Sequence, residues 1–284
     1  MNSKKQLPVL KAASNKLFAL LRCAYAHPFD RDSLREAVLR LYPGRDEKSV
    51  FRGMVIPTLR RLGLIIGYEQ SIRLSANGTL IVTALDRSES EGLRALRCVL
   101  LEIDQATARF VDELERIGLM AVEQFMDAEV LTIEGPSRKQ TLERIRDWIA
   151  YLSYAGLISI QDKSVEINLD DVRQTRADLD VSGKHDYFKN FLFAGYSILA
   201  QGQPGLRSVD IEELREKVAV LAYRDKSSII TKDQFDILLR SMSHITNEYV
   251  ITFGRSMGPE ENLFVLDDNY YETISIRFNK EHLT

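Results

Sequence analysis

The stretch Asp46–Ser75, DEKSVFRGMVIPTLRRLGLIIGYEQSIRLS, leaves the backbone few alternatives. Asp46 stands at an N-cap position. Phe51, Met54, Val55, Leu59 and Leu62 follow at spacings of three and four, which puts one apolar stripe on a helix. Gly63 ends that helix, because a left-handed residue closes it and glycine adopts that conformation without steric penalty. Leu64-Ile65-Ile66 and Ile72-Arg73-Leu74 then read as two short strands around a polar tip, Gly67 to Ser71. Two shorter helices are expected upstream. Ser14 caps one that runs to about Ala26, with Leu17, Leu20, Leu21 and Ala24 on one face. Pro28 breaks it, and Asp32 to Tyr42 carries the second through Leu34, Val38 and Leu41. Downstream, Ser75-Ala76-Asn77-Gly78 leads into a helix through Leu80, Ile81 and Leu85.

The pattern returns. Ser137-Arg138-Lys139-Gln140 has the form of a capping box, followed by Leu142, Ile145, Trp148, Ile149 and Leu152. Gly156-Leu157-Ile158 closes this helix, and two strands follow around Asp162-Lys163. Gly63 and Gly156 lie 93 positions apart on matching Gly-Leu-Ile triplets. A third copy starts with helices over Lys184–Ala200 and Val209–Tyr223. Thr231-Lys232-Asp233-Gln234 repeats the capping box, and Phe235, Leu238, Leu239 and Met242 give the stripe. Asn247 is expected in the closing glycine's place. Glu248–Phe253 and Leu263–Leu266 are the expected hairpin strands around a tip at Gly254–Asn262, with Tyr271–Phe278 a further β-like run. Three copies at a spacing of about 90 residues define an internal repeat. Between the first two lies Leu85–Glu134, with 12 Asp/Glu against 5 Arg, a net of -7. Its apolar positions Leu96, Val99, Leu100, Ile103 and Phe110, Leu114, Ile117 indicate two helices that break near Asp104–Ala106 and serve as a brace or a partner surface.

Two helices, a third helix, a glycine stop and a hairpin follow the order of a winged helix-turn-helix. The chain resembles tandem winged-helix proteins at the level of fold, through Leu59-Arg60-Arg61-Leu62-Gly63-Leu64-Ile65 and the hairpin behind it. The resemblance implies a mainly α protein with short β-hairpins, in tandem winged-helix domains joined by helices. The first would span 14–85, a helical linker 86–105, the second 106–170 and a winged-helix-like third 184–280. Winged helices bind double-stranded DNA by laying the third helix in the major groove while the hairpin tip touches backbone or minor groove. Similar tandem modules include subunits that grip kleisins in chromosome-condensing complexes, plasmid replication initiators, and accessory proteins of bacterial defence or restriction systems. The resemblance therefore implies either a DNA-binding factor or a protein-interaction scaffold within such a complex.

Residues Arg45 to Leu62 contain five Lys/Arg and two acidic groups, a net of +3. Arg45, Lys48, Ser49 and Arg52 fall near the helix N-terminus, away from the apolar stripe. Arg donates two bonds to guanine, so Arg45 or Arg52 is the candidate base reader. Arg60 and Arg61 at the far end are expected on phosphate, and Arg73 lies in the wing, offset by Glu69. The second copy offers Arg138, Lys139, Thr141, Arg144 and Arg146, with Glu143 and Asp147 partly cancelling them. Arg138 and Lys139 at a helix N-terminus oppose the helix dipole, which suits an anionic partner. The bland alternative is that all of these are solvated charges on amphipathic helices. In the third copy Lys226, Lys232 and Arg240 are balanced by Asp225, Asp233 and Asp236. Asp267, Asp268, Tyr270, Tyr271 and Glu272 there read as a protein-contact surface. A protein partner or a second copy of the chain is expected on the acidic 85–134 block or the C-terminal region.

Chemistry beyond binding finds little footing. The formal charge is -3, so no global basic field draws the chain to nucleic acid and any such affinity is local. His27, His185, His244 and His282 are scattered, without HExxH. Cys23 and Cys98 sit in separate apolar patterns as reduced core residues, and no phosphate-binding glycine motif occurs. Asp127, Glu134 and Lys139 have nuclease-like composition, but Gly135-Pro136 breaks the strand such a core needs. No enzyme activity, cofactor or metal is expected. Lys11, Lys16 and Arg22 interrupt what would be the apolar region of a signal peptide, and no run spans a bilayer. A cytoplasmic setting without a membrane partner is the expectation.

Overall fold

The computed structural model describes residues 9–103, 105–121, 138–162, 164–201, 207–256 and 262–279. The chain is mainly helical with small antiparallel sheets, and it divides into two compact units, Met1–Ala177 and Asp178–Thr284. Both hairpins at Gly-Leu-Ile fall in the first unit.

There the chain opens with a 3-10 turn, Ser14–Lys16, which runs into α1 (Leu17–Ala26). Ser14 makes no capping bond; it starts the turn instead, and Lys16 occupies the helix N-cap. Asp30 caps α2 (Arg31–Arg40) by accepting from the Ser33 N–H at 3.0 Å. The third helix is not one continuous α-helix. Lys48–Val55 is π-helical, with Ile56 N–H bonded to the Phe51 carbonyl, and α3 (Ile56–Arg61) follows. Pro57 is the physical reason. Its missing N–H breaks the α-type ladder, and the wider π register ends just ahead of it, so that Pro57 falls in the first turn of α3 where no donor is needed. The stripe is buried as expected: Phe51, Val55, Leu59 and Leu62 are in the core and Met54 is half-buried.

Gly63, at φ 62°, closes α3 with the paired bonds of a Schellman motif: its own N–H to Arg60 at 2.9 Å and Leu64 N–H to Leu59 at 2.9 Å. Strands β1 (Ile65–Ile66) and β2 (Arg73–Leu74) pair in antiparallel fashion, and α4 (Ala76–Leu85) starts at Ser75. Ninety-three residues on, the same bonds recur. The helix α7 (Arg138–Tyr154) closes at Gly156, φ 84°, whose N–H reaches Ser153 at 3.0 Å while Leu157 N–H reaches Leu152 at 3.0 Å. Strands β4 (Ile158–Gln161) and β5 (Ser164–Ile167) pair, and α8 (Leu169–Leu179) follows. Ser75 N–H bonds Leu64 at 3.0 Å, and Asn168 N–H bonds Leu157 at 3.0 Å. The Ser75 hydroxyl donates to Gly63 at 2.6 Å and the Asn168 amide to Gly156 at 2.6 Å. Two chemically different side chains thus satisfy the same helix-end carbonyl. Ser137 of the expected capping box lies outside the described residues.

Between the copies, α5 (Glu89–Ile103) packs along α4, and α6 (Gln105–Ile117) leads into β3 (Leu119–Ala121). Arg97 on α5 donates to the Ala155 carbonyl at 3.2 Å and pairs with Asp171 at 3.0 Å, so the acidic block braces the end of α7. On α8, Arg176 holds Asp112 and Glu115 at 2.6 Å each. Cys98 is buried and Cys23 half-buried, and both are free thiols.

The second unit runs α9 (His185–Leu199), β6 (Val209–Asp210), α10 (Ile211–Lys226), α11 (Lys232–Ser241), β7 (Tyr249–Arg255), β8 (Phe264–Leu266) and β9 (Asn269–Phe278). The Thr231/Gln234 capping box is formed in both directions. Two expectations fail. Asn247 does not adopt the left-handed conformation; α11 ends on extended Met242, and His244 Nε2 caps the Leu239 carbonyl at 3.0 Å in the glycine's stead. Nor do the 248–253 and 263–266 strands pair with each other. Both pair with β9, because Asp267 and Asp268, at φ 48° and 59°, turn β8 directly back into it. β9 is therefore the central strand, with β7 on one side and β6 and β8 on the other.

A related pairing recurs along the chain: a segment that follows a helix bonds to the last strand of a downstream hairpin or to the residue just ahead of it. It is β6 to β9 after α9, β3 to β5 after α6, and after α1 a single bond from Phe29 N–H to the carbonyl of Ile72, one residue ahead of β2, at 3.0 Å.

Candidate nucleic-acid interface

The start of the first copy's third helix gathers the cations that the sequence singles out. Asp46 caps it, with its carboxylate accepting from the Ser49 N–H at 2.8 Å. The other acid there, Glu47, faces Arg35 of α2 at 3.4 Å, and Arg35 also reaches Asp32 at 3.3 Å. Both local carboxylates are thereby occupied. Arg45, Lys48, Ser49 and Arg52 are exposed, and among the described residues no carboxylate pairs with Arg45, Lys48 or Arg52. Three uncompensated cations on consecutive turns form a local positive field in a chain whose overall charge is negative.

The far end of the helix is built differently. Arg60 donates to the Gly67 carbonyl at 2.6 Å and stacks over the Tyr68 ring at 4.3 Å, fixing the hairpin tip against α3. Arg61 donates to the Val9 carbonyl at 2.6 Å and so ties down the N-terminal segment. Arg73, half-buried on β2, lies over the Phe29 ring at 6.0 Å. All three have intramolecular work, which separates them from the Arg45–Arg52 group.

In the second copy, Lys139 is exposed and Arg144 half-buried with partners of its own. The side chains of Arg138 and Thr141 lie outside the described residues, as do Asp127 and Glu134. Trp148 is core, as its place in the apolar stripe requires.

Sequence reasoning missed an aromatic rim. Phe29, in a left-handed conformation at φ 61°, and Tyr68 in the hairpin tip are 60% and 55% exposed. The only local hint is Pro28, which forces the chain out of α1. In the second unit α11 turns Asp233, Ile237 and Arg240 outward, a mixed face without a cationic cluster. Val265 and Tyr270 face each other across the β8–β9 hairpin, 39% and 41% exposed, and Ile245 is 77% exposed.

No protein-family profile matches the sequence, and searches of curated proteins and of solved structures return no match. Among the described residues no cluster of His, Cys, Asp or Glu forms a metal site, and no helix is long and apolar enough to cross a membrane.

Proposed function

We propose that the chain is a DNA-binding protein built from tandem winged-helix units, with the helix that starts at Asp46 as its duplex-reading element. The observation that carries this reading is the exposed trio Arg45, Lys48 and Arg52, left unpaired because Asp46 and Glu47 are engaged elsewhere. The repeated element order, with a segment that follows a helix joined to a downstream hairpin, supports the winged-helix assignment. Phosphate neutralisation by such side chains supplies affinity, and a bidentate arginine supplies base preference. A transcription, replication or defence-accessory role fits a chain of this kind. Mobility-shift titration at two salt concentrations tests it. Arg52→Ala is expected to weaken duplex binding and to flatten its salt dependence by about one unit of slope; unchanged affinity and slope argue against the assignment.

A second reading, an interaction scaffold, draws on the second unit alone. Its exposed Ile237, Ile245, Val265 and Tyr270, with Asp267 and Asp268 at the hairpin turn, suit a protein surface better than a phosphate backbone. Ile245→Asp with sedimentation velocity checks the homodimer version: a shift from dimer to monomer supports it, and a wild-type chain that is already monomeric removes it.

A further inference from the structure

Packing of α7 against the N-terminal segment leaves an open pocket of about 500 Å³ within the first unit. Its walls are held by tertiary bonds. Thr58 Oγ1 accepts from the Lys11 and Ala12 N–H groups at 3.0 and 3.2 Å, and the Tyr151 hydroxyl donates to the Ala12 carbonyl at 2.9 Å. Lys16 is also spoken for, by the Leu41 carbonyl and the Tyr42 ring.

Two polar groups on this wall are weakly served by the protein. The Tyr42 hydroxyl is buried, with the Ala13 N–H and the Arg45 charge as the polar groups that face it and no well-formed hydrogen bond. Asp147 on α7 is half-buried, with no hydrogen bond or ion pair among the described residues. A buried hydroxyl and a half-buried carboxylate with spare hydrogen-bonding capacity on one wall define a socket for a hydrogen-bonding ligand. Lys11 and Arg45 are exposed cations on the lining, while Met54 and Ala150 add apolar surface.

We propose that this pocket binds a guanine nucleotide, the base edge on Asp147 and the phosphate on Lys11 and Arg45. A carboxylate only accepts, through two oxygens. Guanine presents two adjacent donors, N1–H and N2–H, whereas adenine and cytosine set one amino donor beside a ring acceptor that repels a carboxylate. The Tyr42 hydroxyl has spare capacity to bond the sugar or base. The cations match a phosphate, and the volume suits a ligand of mononucleotide size. Arg45 belongs both to this lining and to the exposed trio, so an occupant takes it away from any other anion.

Calorimetric titration of the full chain with GMP, AMP, inorganic phosphate and a 5′-phosphorylated oligonucleotide beginning with guanine reads the site without duplex DNA. It therefore stands apart from the DNA-binding reading. GMP binding at least tenfold tighter than AMP is expected, lost about tenfold or more in Asp147→Asn and weakened in Lys11→Ala. Saturation by GMP identifies a free nucleotide as the source, and saturation by the oligonucleotide alone identifies a nucleic-acid end. Failure of both to bind, equal affinity for GMP and AMP, or a folded Asp147→Asn protein that binds GMP as tightly as the wild type each overturns the proposal.

Discussion

Asp147 is the residue whose chemistry most conflicts with its surroundings. Burial, and then the negative charge of Glu143, push its carboxyl from 3.8 up to about 6. A carboxyl that holds its proton more tightly in the folded state makes the fold less stable as pH rises from about 4 to about 6, the window between its unfolded and folded values. Because the side chain is partly solvated, the loss is discounted to about 1 kcal/mol. Asp147→Asn is expected to leave stability at pH 4 nearly unchanged and to raise it by about that amount at pH 7, read from urea unfolding at both values. An equal offset at the two pH values contradicts this account of the strain. The contrast among arginines belongs to the same scale. Arg60 and Arg61 bond backbone carbonyls, whereas Arg45 and Arg52 do not, and sequence alone gives all four the same letter and similar exposure on a helix face.

At the scale of elements, two helix ends and the hairpins behind them were legible, and the strand partners in the second unit were not. Gly63 and Gly156 could be read because a Schellman motif is local chemistry: one left-handed residue and two bonds within six positions. No Cβ contact closer than 4 Å awaits a side chain at Gly63, so Gly63→Ala tests conformation alone. A loss of about 1–2 kcal/mol is expected in chemical denaturation. A loss near zero contradicts its role as the helix stop. Asn247 misled because the same chemistry has substitutes: the His244 ring, five residues past Leu239, caps the carbonyl instead. The central place of β9 depends on pairing across long loops, which periodicity does not reveal. The element α11 is held by another long-range device, the fully buried Arg215, which grips Asp236 at 2.9 and 2.8 Å and Glu212 at 3.0 Å. It also donates to the Asn262 carbonyl at 2.6 Å. Asp236→Ala leaves that guanidinium short of a partner and is expected to cost about 3–5 kcal/mol in thermal or urea unfolding. A drop below about 1 kcal/mol shows that the triad is dispensable. In sequence Asp236 counted as a charge cancelling surface lysines; burial makes it an internal strut.

Over the whole molecule, the repeat separates architecture from surface. The proposed copies share the helix–hairpin order, yet their outward faces diverge: a cationic trio on the first, a bracing acidic block beside the second, an apolar and acidic hairpin on the third. The pocket lined by Lys11 and Asp147 was invisible in the sequence because 136 positions separate residues that only tertiary packing brings to one wall. The cationic trio was visible, since it lies within eight residues of one helix start. The slope of log affinity against log salt for duplex DNA measures that trio most directly. The wild-type chain is expected to lose about 2.7 units of slope when Arg45, Lys48 and Arg52 are all changed to alanine, at roughly 0.9 per phosphate contact. Identical slopes for the two proteins contradict the central claim.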